Sequence, residues 1–202
     1  MGNFPNFRDL ILQLAIIGPN GYLKASSLPL APLPVYLGDR EHFKVHQKRQ
    51  TDEIFISQLL TGRVSRQTSI QFTRPILEAD GSFGGVIVLS LDVDYLRQAV
   101  FDRILLKGER AMLLSDTLEP RLTHTNGGPI APEQLQLVDG RFDLRQDLHH
   151  SWYLSPVQDY PLQLAIGMAN GSTFFYCCQS RFCAGQLKRG RGSGIIVLLF
   201  AG

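Results

Sequence analysis

An α+β fold with antiparallel sheets flanked by helices, laid out as two consecutive modules, follows from three observations on the sequence. Pro19-Asn-Gly21, Asp80-Gly81 and Asp139-Gly140 each separate apolar runs, and Asn-Gly and Asp-Gly supply the positive φ angles of tight hairpin turns. Thr68 to Leu77 and Gly84 to Leu91 are rich in β-branched residues and bounded by turn residues, which marks two strands. Leu96, Val100 and Ile104 recur at helical spacing, which predicts a helix from Asp94 to Leu105.

In chain order, Leu10 to Ile17 and Tyr22 to Ser27 read as strands joined by the first turn, and a Pro-rich loop runs from Leu28 to Pro34. A short helix follows around Arg40 to Gln50, ahead of the two β-branched strands and the Asp94 helix. Asp92 and Asp94 lie at a strand end, where capping of that helix is the expected role. Arg110 to Ser115 begins a second unit, with Thr117-Leu-Glu-Pro120 as its turn and Arg121 to Thr125 as the next strand. Asn126 to Pro129 is a loop, and Gly140 to Leu144, Ser151 to Pro156 and Leu162 to Met168 supply three further strands. The expected division is 1–105 and 106–170 for the two modules, and 171–202 for a tail.

Composition narrows the function. The 202 residues carry a net charge of +2, with 44% apolar and 19% charged residues, which is ordinary for a globular chain. So small a charge, with no basic run interleaved with aromatics, excludes nucleic acid as the expected partner. The three cysteines Cys177, Cys178 and Cys183 cluster in the tail, giving neither a disulfide framework nor zinc-ligand spacing. His149 and His150 beside Asp147 lack a third ligand at suitable spacing, so no metal and no cofactor is expected. No Ser/His/Asp order, phosphate-cradling loop or zincin motif is present, and a catalytic role is not expected.

The start, Met1-Gly-Asn-Phe-Pro, carries no signal-peptide pattern. Ile195 to Gly202 is apolar for eight residues, against about 20 needed to cross a hydrocarbon core. It reads either as the start of a truncated transmembrane helix or as a short buried segment or cloning remnant. No acidic residue follows Asp159, whereas Arg181, Lys188, Arg189 and Arg191 do. That tail suits anionic headgroups or simple solvation.

The stretch from Asp39 to Leu96 holds the most specific signal. It contains Gly38-Asp-Arg-Glu-His-Phe43, then Asp52-Glu-Ile-Phe-Ile-Ser57, then Thr68-Ser-Ile-Gln-Phe-Thr-Arg-Pro-Ile76, then the hairpin and strand Asp80-Gly-Ser-Phe-Gly-Gly-Val-Ile-Val-Leu-Ser-Leu-Asp92. In that order they resemble the membrane-distal half of a double-Cache, PAS-like sensor domain. Such domains are the periplasmic input modules of bacterial diguanylate cyclases, phosphodiesterases, histidine kinases and chemoreceptors. The resemblance implies two stacked PAS-like modules, a periplasmic location within a larger membrane protein, a homodimer in the intact protein and a small-molecule ligand. It also implies a long N-terminal helix that this sequence lacks, so the chain reads as a fragment.

The same resemblance places the ligand pocket between the sheet and the flap laid across it. In amino-acid-binding relatives an Arg-x-Trp-Tyr pattern on this flap holds the ligand carboxylate. Arg40-Glu-His-Phe43 aligns with it, giving Arg40 as the carboxylate ligand, His42 at the Trp position and Phe43 at the Tyr position. The relatives' ammonium clamp falls here near Leu59 to Thr61 and at Ser90, with no acidic or phenolic group. The expected ligand is therefore an anion or carboxylate without an α-ammonium group. Arg40 has blander alternatives, pairing with Asp39 or Glu41 or capping the flap against the sheet, and His42 has those of simple hydrogen bonding or of reporting acidity.

Strand geometry leaves the lining of the pocket open. Phe72, Arg74 and Ile76 share one face of their strand while Gln71 and Thr73 share the other, so Gln71, Thr73 and Arg74 are all candidates. Three functions remain to be separated. A polar, arginine-bearing cavity favours ligand sensing, and a cavity filled by Phe43, Phe55 and Phe72 favours a dimerisation or protein-interaction module. A nucleophile beside a base would indicate a small hydrolase, and the sequence offers none. Leu12, Leu14 and Ile16, extended by Ile87 and Leu89, form the sheet face that the absent helix would cover.

Overall fold

The computed structural model describes residues 7–29, 34–49, 51–102, 105, 107–125, 130, 137–143 and 149–169. The tail 171–202 with its cysteines, the Asn126 to Pro129 loop, Ile104, Leu144 and Asp147 lie outside the described residues. Among those described, no helix is long and apolar enough to cross a membrane.

The architecture is α+β with antiparallel sheets. A helical turn, α1 (Phe7–Leu10), leads into β1 (Ile11–Ile17) and β2 (Leu23–Ser26); α2 (Glu41–Arg49) follows. The short strands β3 (Phe55–Ile56) and β4 (Leu60–Thr61) precede the long hairpin β5 (Thr68–Leu77) and β6 (Phe83–Asp92). These strands form one sheet in the order β2-β1-β6-β5-β3, with β4 also pairing with β5. The second unit contains β7 (Arg110–Ser115), β8 (Pro120–Thr125), β9 (Leu137–Val138), β10 (Arg141–Phe142), β11 (His150–Val157) and β12 (Leu162–Ala169). Four of these make a sheet ordered β11-β12-β7-β8, while β9 and β10 pair separately.

Turn chemistry sets these registers as expected. Gly21, Gly81 and Gly140 all have positive φ, of 82°, 82° and 76°, and Asp139 joins Gly140 at 50°. Gly85 has a different reason to lack a side chain. At φ 130° a Cβ there would stand 2.2 Å from the Ile17 carbonyl oxygen, where β1 and β6 run together.

The helix expected from Asp94 to Leu105 forms only in part. Asp92 caps it, its Oδ1 accepting from the Tyr95 N–H at 2.9 Å, and α3 covers Val93–Leu96. A π turn, Arg97–Phe101, then widens the coil. Leu96 and Phe101, five residues apart, are both buried, and a π turn brings that spacing onto one face where an α-helix would not.

The first sheet has two differently covered faces. On one, Ala15, Ile17, Val86 and Val88 pack with Phe43 of α2. On the other, Ile70, Phe72 and Leu91 share a core with Val93, Leu96, Phe101 and with Ala111, Leu113, Leu122, Val157 and Leu162 of the second sheet. Burying each large side chain of such a core contributes roughly 1.5–3 kcal/mol. The upper part of this second face stays open, with Leu14 46% and Ile87 39% exposed. Leu89 is partly buried against the shared core instead of extending the exposed strip.

Candidate functional site

Strand alternation turns Gln13, Ala15 and Ile17 of β1, Val88 and Ser90 of β6 and Gln71 of β5 to the face that α2 crosses. Leu37, Arg40 and His42, at the entry to α2, lie over these residues. Leu60, Gly62, Arg63 and Val64 form a side wall. Between them is a cleft that encloses about 30 Å³.

The strand residues of the cleft are neutral and tied together. Ser90 Oγ donates to Gln71 Oε1 at 2.5 Å, and Gln71 Nε2 donates to Ser69 Oγ at 2.7 Å. The Gln71 backbone N–H donates to Ser57 Oγ at 3.0 Å, and Gln13 Nε2 donates to Ser26 Oγ at 2.8 Å. Buried polar groups retained this way incur little desolvation cost.

The charge comes from the loops. Arg40 directly precedes α2, and its Nη2 donates to the Thr61 carbonyl at 3.3 Å. It pairs with neither Asp39 nor Glu41 in any hydrogen bond or ion pair described. Arg63 binds Asp39 instead, through two hydrogen bonds of 2.7 and 2.6 Å, and also donates to the Tyr36 carbonyl. The hydrogen bond from Arg63 holds the Asp39 carboxyl below its usual range. The described residues lining the cleft thus include two arginines and no carboxylate.

His42 is 4% exposed. Burial first, then the nearby charges of Arg40 and His46, push its pKa down to about 4. Its imidazole is therefore neutral at pH 7, and Nδ1 is buried without a hydrogen-bond partner.

The seven residues singled out in the sequence separate on the structure. Arg40, His42, Gln71 and Ser90 come together at the cleft. Phe43 does not line it; at 2% exposure it packs behind, edge-on to Phe83 with ring centroids 5.5 Å apart. Thr73 is on the cleft-side face but lies under α2, 2.8 Å from His46 Nε2. Arg74 is on the opposite face, solvent-exposed and held by two 2.7 Å hydrogen bonds to Asp52. Of the two strand faces, the one carrying Gln71 lines the cleft.

Gln13 and Arg63 are the polar cleft residues that sequence reasoning missed. Gln13 had a signal, as the polar interruption of an apolar strand on the same side as Ala15 and Ile17. Arg63 had none, because its position follows from the path of a loop. His150 Nε2 lies 3.2 Å from the Gly108 carbonyl oxygen, and among the described residues no group of three His, Cys, Asp or Glu is close enough to hold a metal ion.

No family model matches the sequence, and no curated protein matches it. Solved structures do match in fold. The extracellular domain rpHK1S-Z16, ascribed to a histidine kinase, aligns with a TM-score of 0.59 at 20% identity, over 82% of this chain and 73% of that one. The ligand-binding domain of the Pseudomonas fluorescens chemoreceptor CtaA in complex with L-alanine gives 0.57 at 14% identity, over 83% and 76%. That of the Pseudomonas aeruginosa PAO1 amino acid chemoreceptor PctC in complex with GABA gives 0.52 at 16% identity, over 82% and 78%. At such identities the likeness is one of fold, and this chain shares the α+β fold of these sensor domains.

Proposed function

We propose that this chain is the extracytoplasmic sensor region of a bacterial transmembrane signalling protein, and that its cleft binds a small anionic molecule. The observation that carries the reading is a cleft lined by Arg40 and Arg63 with no carboxylate among its described lining residues. Guanidinium groups match carboxylate oxygens two at a time. The comparison domains of CtaA and PctC are in complex with L-alanine and GABA, both of which carry a carboxylate.

On this reading 1–105 is the ligand-binding, membrane-distal module and 106–170 the membrane-proximal one. The intact protein is a homodimer held to the membrane by flanking helices, with a diguanylate cyclase, phosphodiesterase, histidine kinase or chemoreceptor output. The module itself is not an enzyme. A ligand shifts that output only by its differential affinity for two conformations. A cleft filled by Phe43, Phe55 and Phe72 would favour the interaction-module alternative, and none of them lines it.

A thermal-shift screen of small carboxylates and amino acids tests the proposal. A carboxylate hit should be lost in Arg40→Ala, because a charge-assisted hydrogen bond is worth about 1.5–3 kcal/mol. The unliganded melting temperature should hardly move, since Arg40 lies outside the buried cores. Equal affinities of wild type and Arg40→Ala would remove Arg40 from the site.

A further inference from the structure

We propose that Gln71 sets the length of the ligand: tied across the floor of the cleft, it limits the site to short-chain monocarboxylates of two or three carbons. This rests on the anion-binding reading above and narrows it to a chemical class.

Burial orients the ligand. Ala15, Ile17, Gln71, Val88 and Ser90 on the strands are at most 5% exposed and form the floor. Arg40 and Arg63, on the loops, are more exposed and form the rim. A carboxylate therefore meets a guanidinium at the rim, and its alkyl chain points down towards Ala15, Ile17 and Val88. Charge allows one such group. Asp39 matches Arg63 within the protein through two short hydrogen bonds, while Arg40 is held by one long bond to a neutral carbonyl.

Volume sets the chain length. The cleft encloses about 30 Å³, and one water-sized group takes up roughly 10–15 Å³ of such space. One or two carbons beyond the carboxylate fill it.

Gln71 makes that limit rigid. It stands directly opposite Ser90 in the β5–β6 register. Its Oε1 accepts from Ser90 Oγ at 2.5 Å and its Nε2 donates to Ser69 Oγ at 2.7 Å. Swinging this side chain aside for a longer ligand would break both bonds and take these partners from Ser69 and Ser90, which are 0% and 4% exposed. A buried polar group stripped of its partner carries its full desolvation cost, so the plug stays in place. At the side wall Arg63 is likewise fixed, by Asp39 and by the Tyr36 carbonyl.

Titration calorimetry on the full 202-residue chain at pH 7, with acetate, propanoate, butanoate and hexanoate, tests this. Propanoate should bind tightest, about fourfold above acetate for one more buried methylene. Hexanoate should fall about tenfold below propanoate, because overpacking a fixed cavity is destabilising. Gln71→Ala should move the optimum to butanoate or hexanoate, and Gln71→Asn, shorter by one methylene, should move it to butanoate. Wild-type affinity that peaks at butanoate or hexanoate, or stays level along the series, would overturn the size limit while leaving the anion site intact. An optimum unmoved in the folded variants would overturn the role of Gln71, and no binding by any of the four acids would overturn both readings. The wild-type series and Gln71→Asn decide even if Gln71→Ala fails to fold.

Discussion

Arg63 grips Asp39 with two parallel hydrogen bonds, tying the loop after β4 to the chain that enters α2. Both side chains are well exposed, so the pair contributes little to stability and matters instead as geometry and charge. It fixes one edge of the cleft and cancels one of its two arginines.

Asp39→Asn should therefore release the Arg63 charge into the cleft and raise affinity for succinate relative to propanoate, read by calorimetry. The stability effect should be small and pH-dependent. Because the folded carboxyl lies below its ordinary value of 3.8, the wild type's advantage over Asp39→Asn exists above that value. It should fade as pH falls through the folded pKa. An unchanged ratio of the two acids would show that Arg63 does not meet the ligand.

His42 titrates in the opposite sense to a stabilising histidine. Its pKa falls from 6.5 in the ordinary state to about 4 in the folded one, so the unfolded chain takes up a proton first. Stability should decline as pH drops from 6.5 towards 4 and level off below, with a total loss of about 3 kcal/mol from this group. Urea denaturation across that range should show a shallower decline for His42→Gln. Parallel curves for the two proteins would mean that His42 is hydrated and titrates normally.

Phe43→Ala should damage the fold more than the site. The ring is buried among Ala15, Ile17, Val86 and Val88, and losing a phenylalanine from such a core costs about 3–5 kcal/mol. Chemical denaturation should register that loss, while ligand affinity of the remaining folded protein changes little.

Ser90→Asp places a carboxylate beside Gln71 in the cleft. Relative preference should move from amine-free acids towards α-amino acids, and the absolute affinity for simple carboxylates should fall by repulsion. Calorimetry that finds the preference unmoved would place position 90 out of reach of the ligand.

Strand β5 was fully legible, since its expected span from Thr68 to Leu77 is the observed one, and β-branched residues between turn signals define such a strand locally. Which of its faces meets the cleft was not legible. Period-2 alternation sorts Gln71 and Thr73 from Phe72 and Arg74, but only the path of the chain across the sheet decides which side α2 covers. Arg74 illustrates the difficulty: its partner Asp52 lies in the chain before β3, and nothing local links the two. The helix after β6 was misjudged in form for a related reason. Leu96, Val100 and Ile104 fit an α period, yet burial of Phe101 against the second sheet selects a wider turn.

Alternation along β5 also has an experimental consequence. Gln71 faces the cleft, while its neighbour Phe72 meets the Tyr160 ring of the second unit, centroids 6.0 Å apart. The cleft face and the face packed on the second unit thus fall on adjacent residues of one backbone, in two sets that share no side chain. A substitution at 71 alters the lining of the cleft, and those at 70 and 72 alter the core shared with the second sheet. The two properties can be mutated independently although a single peptide bond separates them.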